Sequence, residues 1–227
     1  MAVALAKREL ASSSSRGEDT RQRLIEAGLR IFGDYGFDGA STRMLADAAG
    51  ANLAAIPYHF GSKEGLYRAA AEFVVENCGR DILPTISKIE LALEGRKPSR
   101  KDATTLLQEL LERFSAIVVG SEFADSFAGF VMREQLQPGA AFEILYEGMM
   151  RRLTEACAKL LAIVLGRRSD DEKILIRTQT LLGQVLVFRT SRAAVFRQLG
   201  WREFSKEQIK AIQSIVRDNV DRILAGK

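Results

Sequence analysis

Apolar residues recur along this chain at three- and four-residue intervals and do not alternate with polar ones over any long stretch. Leu24, Ala27, Gly28, Ile31, Phe32 and Tyr35 form one such face. They predict an amphipathic helix beginning near Glu18, where the acids Glu18 and Asp19 suit the positive helix end. Ser41 is placed to cap a short helix over Thr42–Ala49, and Gly50 permits a sharp turn. Asn52 then caps a second short helix, about 53–59, in which Ile56 and Phe60 face inward. A long helix starts after Ser62 and runs toward Leu83, where Pro84 stops or kinks it. Further helices are predicted over about 102–120, 121–136, 139–165, 170–197 and 205–225, punctuated by Pro138, Gly166 and Gly200. A basic loop spans residues 95–101. The fold class is therefore all-α.

Composition agrees with helix and narrows the function. Hydrophobic residues make up 47% of 227, enough for a sizeable core. No apolar run approaches the ~18 residues that cross a bilayer, and no signal peptide is evident, so a cytoplasmic, non-membrane protein is expected. Cys78 and Cys157 are far apart and fit no metal-ligand spacing; they read as small buried hydrophobes. With one histidine, no metal cluster, no glycine-rich phosphate loop and no nucleophile–base pair, an enzyme is a remote alternative, and no metal or cofactor is expected. The net charge of +4 does not by itself establish nucleic-acid binding. Within residues 1–70 the basic excess is a single charge, so any DNA contact must come from placement. The Ser-rich stretch near Ser12–Ser15 reads as part of a flexible arm over residues 1–17.

Residues 20–68 carry a specific pattern: Arg23-Leu24-Ile25-Glu26-Ala27, Phe32, Gly36-Phe37, Ser41, Arg43, Leu45-Ala46 and Ala49-Gly50. Tyr58-His59-Phe60 and Ser62-Lys63-Glu64-Gly65-Leu66-Tyr67 follow at fixed distance. This pattern resembles the TetR family of transcriptional regulators. Residues 130–202, with Arg133-Glu134 and the stretch Phe188–Trp201, look like that family's CerR-type C-terminal domain. The resemblance implies a helix-turn-helix DNA-binding domain over 18–65, a ligand-binding and dimerisation domain over 66–227, a homodimer and a palindromic double-stranded DNA operator. It implies that Lys63 contacts phosphate, that Tyr58 and His59 touch backbone or base edges, and that Ser41, Thr42 and Arg43 touch neighbouring phosphates. Arg16 and Arg21 are further candidates for phosphate or the minor groove. Ala54 and Ala55 are small enough for close approach to thymine methyls. Pro57 departs from the pattern. Proline costs ~3 kcal/mol in a helix interior and less in a first turn, so a tight or bent recognition helix is expected.

Beyond the head, Phe123, Phe127 and Phe130 share one helical face, with Phe142 and Tyr146 following. Ordinary core and the wall of an effector cavity are both open for them. Arg133 adjoins the stripe and is either a surface ion pair or a polar anchor. Gln184, on a later apolar helix, is another candidate. Two C-terminal stripes, Leu175, Leu182, Val185 and Val195, then Ile209, Ile212, Ile215, Val216 and Ile223, suit a four-helix dimer interface or burial within the subunit. The leading expectation is a repressor released from its operator by a small, largely apolar effector. An activator or a ligand-independent regulator is the alternative, and a helical interaction module a remote one.

Overall fold

A computed structural model describes residues 2–95, 98–120 and 124–225, and no strand occurs among them. The helices are α1 (Ala2–Gly39), α2 (Thr42–Ala49), α3 (Ala55–Phe60), α4 (Lys63–Glu94), α5 (Arg100–Gly120) and α6 (Ala124–Leu136). They continue as α7 (Phe142–Leu145), a π-helical turn at Tyr146–Met150, α8 (Arg151–Leu165), α9 (Glu172–Thr190), α10 (Arg192–Leu199) and α11 (Lys206–Ala225).

The chain divides into two compact units. The first comprises Met1–Val74 together with Asp125–Ile144; the second comprises Val75–Ala124 and Leu145–Lys227. The partition differs from a single boundary near residue 65, because α6 and the loop after it belong with the N-terminal helices. The reason lies in the packing of α6 on α1. Gly33 is so close to α6 that a Cβ there would stand 2.9 Å from the Phe130 amide nitrogen. Phe130 is buried against Tyr67 of α4, with ring centroids 5.2 Å apart. Phe32, Phe37 and Tyr67 complete this aromatic cluster.

The second unit is aliphatic. Ile82, Ile86 and Ile89 of α4 meet Leu107, Leu110 and Leu111 of α5, Leu160 and Leu161 of α8, and Leu181 and Val185 of α9 in one core. Ile212 and Val216 of α11 join them. Four of the nine residues of the expected dimer stripes are thus core: Leu182, Val185, Ile212 and Val216 are buried, Val195, Ile209 and Ile223 are half-buried, and Leu175 and Ile215 are exposed.

Several expected boundaries move. α1 starts at Ala2 rather than near Glu18, so helix runs through the segment read as a flexible arm; its Ala, Leu, Lys, Arg and Glu residues are strong helix formers. Pro84 does not stop α4, which continues to Glu94 with the proline ring exposed. Ser191 separates α9 from α10, which were expected as one helix. No helix among the described residues is long and apolar enough to cross a membrane.

Candidate nucleic-acid interface

The helix-turn-helix is assembled by local caps. The Ser41 hydroxyl accepts from the Met44 amide at 3.1 Å and starts α2. Gly50 ends it in the left-handed region (φ 58°, ψ 39°), and its amide donates back to the Ala46 and Asp47 carbonyls. The Arg23 guanidinium, from α1, donates to the Ala49 carbonyl at 2.9 Å and the Gly50 carbonyl at 3.3 Å, closing the orphan end of α2. The Asn52 side chain accepts from the Ala54 amide at 2.9 Å just before α3. The Ser62 hydroxyl caps α4 through the Gly65 amide at 3.0 Å. Gly65 is there for space: a Cβ at this position would collide with the Phe60 carbonyl oxygen.

These constraints fix what α3 presents. Ile56 is buried, while Ala54, Pro57 and Tyr58 are exposed, Tyr58 at 83%. Ala55 and His59 are half-buried. The Tyr58 and His59 rings meet edge-on with centroids 4.8 Å apart. Pro57 sits in the first turn. The carbonyl four residues back belongs to Leu53, outside the helix, so the missing amide breaks no internal bond. The neighbouring ladder is intact, with the Tyr58 amide on the Ala54 carbonyl and the Gly61 amide on the Pro57 carbonyl. Ser41, Thr42 and Arg43 are exposed at the start of α2. The Arg21 guanidinium lies 5.4 Å from the centre of the Phe60 ring.

Lys63 is held inside the unit. Its ammonium donates to the Phe37 carbonyl at 2.8 Å and the Ala40 carbonyl at 2.9 Å, and lies 4.3 Å from the centre of the Phe37 ring. Two of its three protons are thereby engaged. The side chain ties the start of α4 to the loop that leads into α2.

Arg133 and Glu134 are also internal. α1 breaks at Gly36 (φ 73°, ψ 176°), which leaves carbonyls without helical partners. Arg133 reaches them from α6, donating to the Gly33 carbonyl at 3.2 Å and the Asp34 carbonyl at 3.1 Å. Glu134 is 1% exposed; it accepts from the Tyr67 hydroxyl and, at 3.1 Å, from the Gly139 amide. Burial first, then the hydrogen bond to Glu134 and that residue's charge, push the Tyr67 phenol well above its ordinary value. Sequence reasoning missed the roles of Arg23, Tyr67, Glu134 and Gly65. Arg23, Gly65 and Tyr67 stand within the motif and Glu134 within the C-terminal pattern, but no local signal named their partners.

The effector candidates are dispersed. Phe127 and Phe130 are buried in the first unit, Phe127 against Phe73 with centroids 6.0 Å apart. Phe142 is half-buried in the same unit, whereas Tyr146 and Gln184 fall in the second. Phe123 lies outside the described residues. Neither of two cavities, one in each unit, is lined by Phe127, Phe130, Phe142, Tyr146 or Gln184. The Gln184 carbonyl accepts from the Asn219 amide at 2.9 Å, and its own buried amide nitrogen has no acceptor.

Comparison with known proteins settles the ancestry of this arrangement. The model for bacterial regulatory proteins of the tetR family matches residues 24–70. The model for the C-terminal domain of the HTH-type transcriptional dual regulator CecR matches residues 103–227. The CecR of Shigella flexneri is 31% identical over 211 residues, covering 93% of this chain and 94% of its own. The chain belongs to the TetR family. Its C-terminal domain is of the CecR type, which corrects the label CerR. This TetR-family chain is a transcriptional regulator and not an enzyme. The regulatory protein RaaS of Mycobacterium tuberculosis is 48% identical over 54 residues, 24% of this chain and 25% of its own. Among solved structures, FadR of Bacillus subtilis in complex with stearoyl-CoA superposes with a TM-score of 0.56 at 15% identity, covering 88% of this chain and 96% of that one. A TetR-like regulator from Rhodococcus sp. RHA1 gives 0.56 at 19% identity, covering 92% and 97%. At those identities the likeness concerns the fold.

Proposed function

We propose that this regulator is a cytoplasmic homodimeric repressor that reads a palindromic operator with α3 and is released by a small, largely apolar effector. The observation that carries the DNA-reading part is the capped, exposed face of α3. Tyr58 stands out from it, small Ala54 and Ala55 flank it, and Pro57 makes it compact. A helix of this size enters a major groove, and small residues permit close approach to base edges. Tyr58 and His59 contact backbone or bases, and Ser41, Thr42 and Arg43 contact adjacent phosphates. Lys63 has one proton left for phosphate, so its larger part is to set the spacing of α2 and α4.

Exposed Leu175, Ile176, Leu186 and Val187 on α9, with Ile215 on α11, support pairing of these two helices with their symmetry copies. The unsatisfied amide of Gln184 supports a polar contact for an effector, and the π-helical turn beginning at Tyr146 is a kind of irregularity concentrated at functional sites. The dual-regulator designation of the Shigella flexneri relative favours a second reading, activation at some promoters.

The test is a gel-shift titration of the full chain on DNA fragments selected by the purified protein. A palindrome bound by one dimer is expected, with affinity falling steeply as salt rises. Selected fragments without two-fold symmetry, or salt-insensitive binding, would overturn the reading. Gln184→Leu is expected to blunt release by apolar compounds found to displace the DNA.

A further inference from the structure

The first unit contains a cavity of about 470 Å³ that none of the DNA-reading residues line. Its walls come from the end of α1, the start of α4 and the segment after α6. Tyr35, Phe37 and Tyr67 supply aromatic surface; Asp38, Glu64 and Glu134 supply carboxylates. The guanidinium on this wall, Arg133, is turned to the Gly33 and Asp34 carbonyls. Glu64 pairs with Arg68 at 3.3 Å, and Glu134 is satisfied by Tyr67 and Gly139. Asp38 is exposed at the cavity mouth and has no ion-pair partner among the described residues, and Tyr35, also exposed, lines the same cavity. The charges of Glu134 and Asp38 act on the Tyr67 phenol as a negative local potential, and that of Arg133 opposes them. Phe37 already carries an ammonium, that of Lys63.

We propose that this cavity is a second ligand site, separate from any effector site in the C-terminal unit, and that it takes a small organic cation bearing an aromatic or compact apolar group. A cation gains from the uncompensated Asp38 carboxylate and from ring faces together. An anion meets three carboxylates against one guanidinium, that of Arg133, whose Nε and Nη2 are already bonded to backbone carbonyls. A cavity of this size admits a molecule of about ten to twenty heavy atoms. Because the walls join α1, α4 and the loop after α6, the bound cation bridges the base on which the helix-turn-helix stands.

Calorimetric titration of the full chain with benzyltrimethylammonium chloride tests this, with sodium phenylacetate as the anionic control. Saturable binding of one cation per protomer is expected, with none for phenylacetate. Asp38→Asn and Tyr35→Ala each weaken the binding by about tenfold or more. The Tyr35 ring resonances of the unmodified chain shift on titration, which reads the site without any substitution. Absence of saturation by about 10 mM, binding unchanged in both variants, or unshifted Tyr35 resonances would overturn the proposal.

Discussion

The two units of this regulator are stabilised in different ways. In the first, side chains from distant positions terminate backbone segments: Arg23 closes α2, Lys63 holds the loop before α2, and Arg133 closes the broken end of α1. Glycines at 33 and 65 admit neighbouring backbone. In the second, interdigitated Ile, Leu and Val dominate, with Cys157 and Thr178 enclosed among them. A directed hydrogen bond fails when one atom moves, whereas an aliphatic core tolerates exchange of similar volumes. The DNA-reading unit therefore has few acceptable residues at its joints, and the C-terminal unit has more in its core, though Arg189 closes the end of α5 there by the same device.

Substitutions sharpen this contrast, and the largest effect is expected at Gly65. Gly65→Ala drives a methyl group into the Phe60 carbonyl, so operator binding should fall by more than about 100-fold. Amide exchange should quicken in α3 and the start of α4 but not in α8. Unchanged binding would remove the close approach from the account. Leu160→Ala in the aliphatic core is expected to cost about 2–5 kcal/mol in chemical denaturation, with operator affinity nearly unchanged in the folded fraction. Lys63→Ala leaves two carbonyls without a donor and should cost about 1–3 kcal/mol while also weakening operator binding. If Lys63 served phosphate alone, stability would stay constant and only the salt slope would drop. Ser41→Ala removes one cap at about 1 kcal/mol, read from the same denaturation curves.

A further effect is a pH dependence that arises in the second unit. Burial pushes the Cys157 thiol from 9.0 up to about 12. The unfolded chain gives up this proton first, so the thiol's contribution is whole below pH 9.0 and is lost as pH rises toward 12. Denaturation midpoints should decline more steeply above pH 9 in the unmodified chain than in Cys157→Ala. Parallel declines would show that Cys157 does not contribute.

The same contrast explains what the sequence made legible. The caps at Ser41, Gly50 and Ser62, and the turn that Asn52 closes before α3, act within two to four residues, so their chemistry is visible locally, and the helix-turn-helix follows from it. The helical periods of the C-terminal half are equally visible, but a stripe of apolar residues does not say which partner covers it. Leu182 and Leu175, one heptad apart, ended in core and on the surface. The links that shape the first unit join Tyr67 to Glu134 and Gly33 to Arg133, across more than sixty residues. No local pattern marks such pairs, and Arg133 beside a phenylalanine stripe looked as much like a ligand anchor as like a helix cap. Its place at the Gly36 break follows only once α6 is packed on α1.

That cap has a consequence in time. The ribosome releases α1 to α3 and the first turns of α4 well before it reaches Arg133, Glu134 and Gly139, because residues 75–124 of the second unit separate the two pieces of the first. At common elongation rates of roughly 5–20 residues per second, the span from Tyr67 to Glu134 takes several seconds, during which the nascent head has the end of α1 uncapped and the Tyr67 hydroxyl unpaired. The part of the protein that comes into being first is thus completed late, and a chain broken off before Ile144 would carry a full helix-turn-helix sequence on an unfinished base.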